Sequence, residues 1–290
     1  MTTYALLLIL GAALLHASWN FLLKRTGGGA SFVWLSSFIT TLVYAPLAIG
    51  ILWYQHISLN HLQLAFMLGT AVLHTIYFLL LARGYRHGDL SLVYPLARGS
   101  GPLLTILIAV LLLREQPSLA ALVGAGLLAI GVLLLTFDPR KKINFSIATS
   151  GGVAIAYALL TGATIASYTV WDKYAVATLL IPPIVLDWSS NLGRTAMMSP
   201  FIVRDLSGVK KVWRDYRKEV IAVAVFGPMS YILALTAMVF TPVSYVAPAR
   251  EISILFAALM GAHILKEKQG KRRLIAAAIM VTGLVMLATN

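Results

Sequence analysis

The chain has 290 residues, 59% of them hydrophobic and 11% charged, with a mean hydropathy of +0.85. A soluble domain carries about 25% charged residues, so a water-soluble globule is excluded, because it would expose large apolar patches and aggregate. The net charge of +13 sits in short clusters between apolar runs, which reads as topology control and attraction to anionic headgroups rather than nucleic-acid binding, and the lack of cysteine excludes disulfides, thiolate nucleophiles and cysteine metal sites.

A helix crosses the hydrocarbon with about 20 residues. Ten such apolar runs occur, at roughly 3–23, 30–52, 62–82, 90–113, 118–136, 147–171, 179–203, 219–240, 242–264 and 272–289. They predict an all-α polytopic membrane protein of ten transmembrane helices, and no alternating pattern competes as a β-barrel. The start, Met1-Thr2-Thr3-Tyr4, lacks the basic region of a signal peptide, and the run continues to Phe21 without a cleavage site, so the first span is expected to be retained.

In chain order, the first span carries His16, Asn20 and Lys24 on one face, with Trp19 beside them. The second ends on Trp53 and Tyr54, the aromatic pattern of a membrane interface. The third carries His74 and Tyr77. The fourth holds Tyr94-Pro95-Leu96-Ala97-Arg98, followed by Gly99, Gly101 and Pro102, a stretch expected to loosen or kink the helix. Gly124, Gly126 and Gly131 in the fifth and Gly283 in the tenth are read as close helix contacts, and spans five and ten as the dimer faces should the protein be a homodimer rather than a monomer. The sixth span ends on Trp171. In the seventh, Asp187, Asn191 and Arg194 fall at i, i+4 and i+7 on one face, which must point inward because lipid does not solvate it. Arg204 to Glu219 reads as a basic amphipathic linker along the headgroups. Tyr231 lies in the eighth span, and Ala247-Pro248-Ala249-Arg250-Glu251 in the ninth.

The two halves repeat. Ala17-Ser18-Trp19-Asn20 matches Ala166-Ser167-Tyr168-Thr169 at an offset of 149 residues, while Ala97-Arg98 matches Ala249-Arg250 and Arg114-Glu115 matches Lys266-Glu267 at an offset of 152. The halves, 1–137 and 147–290, each hold five spans, and an odd number inverts the second copy relative to the first. Inverted repeats place a substrate site near the midplane where they meet. Basic residues set the orientation. Eighteen lie after spans one, three, five, seven and nine, against Arg114 and Lys173 alone after the others, so both termini are expected on the non-cytosolic side of a plasma (inner) membrane.

Arg98-Gly99-Ser100-Gly101-Pro102, the turn Arg114-Glu115-Gln116-Pro117-Ser118, Gly124 and Gly131, the second acidic turn at Glu267, and His16-Ala17-Ser18-Trp19-Asn20 with Lys24 resemble the EamA-like repeat of the drug/metabolite transporter superfamily. The resemblance covers nearly the whole chain. It implies two inverted five-helix repeats around a central cavity and a secondary carrier of small metabolites. It also implies cytosolic termini, against the charge count. The small multidrug carriers of that superfamily place a carboxylate in the first helix, whereas this first helix has His16 and no acid, which argues against proton-coupled export of lipophilic cations.

A guanidinium at mid-bilayer costs roughly 2.5–3.5 kcal/mol, so Arg98 and Arg250 need a reason to be there. They hold an anionic substrate group in a fork, or form a structural pair (Arg250 with Glu251 or Asp187), or snorkel to the interface. The substrate-site candidates are Arg98, Arg250, His16, Trp19, Asn20, His74, Tyr77, Tyr94, Asp187, Asn191, Arg194 and Tyr231, with Trp171 and Trp188 as further aromatic walls. Proton-coupling candidates are Asp187, Glu251 and His16, with a relay through His16 or His74 as imidazoles. No second histidine stands at ligand spacing, and no cofactor or nucleotide fingerprint is present, so neither a metal nor direct ATP coupling is expected. The resulting expectation is a secondary transporter of a small polar, zwitterionic or anionic metabolite working by alternating access. A flippase for a lipid-linked anionic headgroup and an intramembrane headgroup enzyme are the alternatives, and the enzyme would need a clustered acid–base motif that the sequence lacks.

Overall fold

A computed structural model describes residues 1–26, 29–87, 90–136, 150–264 and 271–289. Arg140, Lys141 and Lys142, and the second acidic turn with Lys266, Glu267 and Lys268, lie outside the described residues, as does the side chain of Lys24.

Among the described residues the chain is all-helical, with no strand. The helices are α1 (Thr3–Thr26), α2 (Ala30–Tyr54), α3 (His61–His87), α4 (Leu90–Leu112), α5 (Leu119–Thr136), α6 (Ser150–Ala177), α7 (Pro183–Ile202), α8 (Leu206–Phe240), α9 (Val243–Ala249), α10 (Ile252–Ile264) and α11 (Lys271–Ala288). Among the described residues, seven apolar stretches are long enough to cross a membrane: α1, α2, α3, α4, α6, α8 and the α9–α10 unit, while α5 and α11 are shorter apolar helices. Large side chains such as Leu7, Leu42, Leu47, Leu68, Leu107 and Leu111 point outward, as a lipid solvent requires. Hydroxyls inside the helices satisfy themselves on the preceding turn: Thr41 donates to the Ser37 carbonyl at 2.9 Å and Thr75 to the Ala71 carbonyl at 2.8 Å.

Helices of the first half pack on helices of the second. α1 lies on α8, α2 on α7, α3 on α6 and α7, α4 on α6 and α9, and α5 on α11. The main apolar core draws Ile9, Ala48 and Leu128 from one half and Val176, Leu186, Leu235 and Met280 from the other. The glycines of spans five and ten meet each other within the chain. A Cβ on Gly124 would stand 2.7 Å from the Gly283 carbonyl oxygen, whereas Gly126 has nothing within 4 Å. Pro182 caps α7 and Pro183 opens it, where a missing N–H costs nothing.

The structure differs from the sequence expectations before α8 and at Lys173, and it places a helix break in the second half. No break falls at Pro95 or Pro102, around which the sequence leads to a loosened or kinked helix: α4 is continuous from Leu90 to Leu112. Its Gly101 instead lets α6 approach, since a Cβ there would stand 2.9 Å from Ile165 Cγ2. The break falls in the matching stretch of the second half, at Arg250–Glu251 between α9 and α10. There Pro248 has no N–H, and the chain tightens, with Glu251 N–H donating to the Pro248 carbonyl at 3.0 Å and Ile254 N–H to the Glu251 carbonyl at 2.9 Å. The segment 204–219 is not a separate linker: from Leu206 it is the first part of α8, bent at Tyr216 (φ −136°, ψ 25°). Lys173 is not a loop residue, because α6 extends to Ala177 and Lys173 Nζ donates to the carbonyls of Met238 at 2.6 Å and Thr241 at 3.0 Å.

Candidate functional site

The helices of the two halves enclose a cavity of about 130 Å³. α1 contributes His16 and Trp19, whose rings meet edge to face at 5.0 Å. α3 contributes His74 and Tyr77, α4 Arg98, α7 Asp187, Asn191 and Arg194, α8 Tyr231, and the α9–α10 break Arg250. The inward face of α7 is thus the Asp187–Asn191–Arg194 stripe: Asn191 Nδ2 donates to Asp187 Oδ2 at 3.1 Å and to the Asp187 carbonyl at 2.9 Å.

Four sequence candidates are not on the cavity wall. Asn20 turns its amide back to the His16 carbonyl at 2.8 Å. Tyr94 packs, half-buried, against the main core. Trp171 stacks on Phe66 at 4.0 Å and donates to its carbonyl at 2.9 Å. Trp188 donates to the Thr41 carbonyl at 3.0 Å. These indoles needed a carbonyl partner in a water-free interior, and satisfying it turned them away from the cavity.

The arginines divide into two kinds. Arg98 pairs with Glu251, Nε to Oε2 at 3.0 Å, both side chains buried. This replaces the expected Arg250–Glu251 or Arg250–Asp187 pair, and it binds α4 to the start of α10. Arg250 lies instead with its guanidinium carbon 5.1 Å from the centre of the Tyr231 ring, a cation–π contact. Arg194 lies 4.7 Å over Phe78 and reaches Ser37 Oγ and Asn191 Oδ1 only at 3.5 Å each. Among the described residues neither Arg194 nor Arg250 has a carboxylate within 4.0 Å. Arg194 Nε and Trp19 Nε1 are buried without a hydrogen-bond partner in the protein. Arg98 and Arg250 both turn their side chains toward the cavity. Two water-sized recesses continue from it, one beside Ala12 and Ser230 and one beside Thr105 and Glu251, and Arg98 and Arg250 border both.

Sequence reasoning missed Asp172. A sixth span ending at 171 stops short of Ala177, where α6 ends, and so leaves this carboxylate in a loop. It is fully buried on α6 and accepts from Thr70 Oγ1 at 2.6 Å, from His74 Nε2 at 3.1 Å and from the Tyr231 hydroxyl. Thr70 and His74 are four residues apart on α3, a polar pair on one face that the sequence displayed. Ser36, Ser37 and Thr40 on α2, Tyr168 on α6 and Ser230 on α8 also line the cavity and were not singled out. Among the described residues no three His, Asp or Glu side chains are placed to hold a metal ion.

The acidic turn has a structural task. Glu115 accepts the N–H of Val243 at Oε1 (2.8 Å) and of Ser244 at Oε2 (2.9 Å), the first two helical residues of α9. A carboxylate at two unpaired helix-start N–H groups is a favourable cap. It ties the end of α4 to the element that carries Arg250.

The EamA-like transporter family model matches residues 3–137 and again 152–289. The chain belongs to the EamA-like transporter family. As a member of that family it is a multi-pass membrane transporter and not an enzyme. A solved structure described only as "Crystal structure of protein" superposes with a TM-score of 0.76 at 16% identity, covering 99% of this chain and 96% of that one, a likeness of fold alone. No curated protein matches the chain.

Proposed function

We propose that this EamA-like transporter is a secondary carrier for a small metabolite with an anionic group, zwitterionic or acidic, working by alternating access between two inverted five-helix repeats. The observation that carries the reading is that Arg194 and Arg250 face a cavity at the contact of the two halves with no carboxylate within 4.0 Å of either among the described residues. Both side chains are half-buried, and a guanidinium in a membrane interior without a close counter-charge favours entry of a group of opposite charge. A carboxylate, phosphonate or phosphate matches its fork. Asp187 on the same wall suits the ammonium group of a zwitterion. Packing of each first-half helix on the second half supports rocking of one repeat against the other. Lys173 ties back to α8 and the residues after it, leaving Arg114 as the basic residue of the sparse side, which favours non-cytosolic termini in a plasma (inner) membrane.

A thermal-shift screen of the purified protein against amino acids, organic acids, phosphonates and sugars tests this. A ligand that binds the native state raises the melting temperature. The expected hit is an acid or a zwitterion whose stabilisation disappears in Arg250→Gln. A hit confined to neutral sugars, unaffected by that substitution, contradicts it.

A further inference from the structure

We propose that His74 and Asp172 form a proton-binding site in the cavity wall, and that a proton on His74 and an anion held by Arg194 and Arg250 bind cooperatively. The second half rests on the anion-carrier reading above; the first does not.

The Asp172 carboxylate lies wholly inside the protein, and every donor it receives is neutral: the Thr70 and Tyr231 hydroxyls and the His74 ring. Among the described residues no lysine or arginine stands within 4.0 Å of it. A carboxylate accepts only, so Nε2 of the neutral His74 ring carries the hydrogen that points to Asp172, and Nδ1 is the basic atom. No described residue gives Nδ1 a hydrogen bond, while the ring itself lines the cavity. A proton from cavity water therefore arrives at Nδ1 and converts the 3.1 Å contact into an ion pair.

The groups around the ring decide when this happens. From α6 it faces Asp172 and the Tyr168 ring (4.3 Å), and from α8 the Tyr231 ring (5.2 Å). Arg194 on α7 and Arg250 at the α9–α10 break line the same cavity, and a protonated ring would meet them as like charges. Tyr77 is its neighbour on α3, and the charge of Arg98 on α4 is met by Glu251. Asp172 thus favours the proton and the two unpaired guanidiniums oppose it. An anion seated on those guanidiniums removes the opposition, and by reciprocity the proton strengthens the anion's binding by the same factor. One negative charge and one proton then enter together, and the site's net charge is unchanged. This makes the carrier a proton–anion symporter in which the coupling group is the His74–Asp172 pair.

Titration of the histidine rings by ¹⁵N NMR, on the full chain in lipid nanodiscs from pH 5 to 9, tests the proposal without any ligand. The protein has six histidines, and the His74 signal is the one lost in His74→Gln. Should that variant not fold, single replacement of the other five identifies it by elimination. His74 is expected to take up its proton as the pH is lowered. It should titrate lower in Asp172→Asn and higher in Arg250→Gln and Arg194→Gln, which mimic neutralisation by an anion. A His74 that stays neutral throughout, or that ignores Asp172→Asn, overturns the proton site. A titration unmoved by both arginine substitutions overturns the coupling. Since no ligand is used, these outcomes are independent of the ligand screen, which decides the anion reading.

Discussion

Replacing Arg98 by Met removes the cation of a buried ion pair and strands Glu251. Both side chains are less than a tenth exposed, and their contact is 3.0 Å. Glu251 Oε2 has no hydrogen-bond partner besides Arg98 among the described residues. Breaking such a pair by removing one partner costs about 3–5 kcal/mol, which at roughly 2 °C per kcal/mol for a chain of this size is about 6–10 °C in Tm. Neutralising the stranded group should recover most of the loss, so Arg98→Met with Glu251→Gln should melt well above Arg98→Met alone. Tryptophan fluorescence during heating in detergent reads all four corners of the cycle. If Arg98→Met melts within about 1 °C of the parent, or the second substitution adds a further independent loss, the pair does not hold α4 to α10 and the division of the arginines is wrong.

Glu115→Gln removes the charge from the α9 cap and leaves one acceptor for two N–H groups, so a loss of about 1.5–3 kcal/mol is expected in the same melting assay, and a neutral result would show the cap to be dispensable. Gly124→Val drives a branched side chain into the Gly283 carbonyl, 2.7 Å from where its Cβ must stand; overpacking of about 1–3 kcal/mol should appear as a lowered Tm, while Gly126→Val, where nothing lies within 4 Å, should leave Tm unchanged. Arg250→Lys should impair transport nearly as much as Arg250→Gln, since an ammonium cannot supply the planar fork; full activity in uptake by proteoliposomes would show that charge alone suffices.

The membrane class, the helix positions and the repeat were legible because lipid imposes a single rule on the sequence: apolar runs long enough to span, with charges at their ends. The inward face of α7 was legible for the same reason, since Asp187, Asn191 and Arg194 at helical spacing had one place to go. The pairing of the arginines was not. Arg98 and Arg250 look equivalent in sequence, but the residue after each differs, Gly99 in one copy and Glu251 in the other. The single carboxylate went to the opposite arginine, a choice made by packing between halves. Asp172 was hidden by a span boundary, because an apolar-window rule ends a helix at its first charge, whereas α6 carries Asp172 and Lys173 inside on neutral donors and on carbonyls. Proline and glycine signal the possibility of a break in both copies, but the helix ends only in the second, at Arg250–Glu251, while Gly101 of α4 serves as a close approach to Ile165 of α6.

Uptake of the best-stabilising acid into proteoliposomes, compared between the parent and Arg250→Gln, is the most direct test of the claim that unpaired guanidiniums recognise the cargo. The parent should accumulate it and the variant, equally folded by its melting curve, should fall to the level of empty vesicles. A folded Arg250→Gln that transports at the parent's rate would contradict the account.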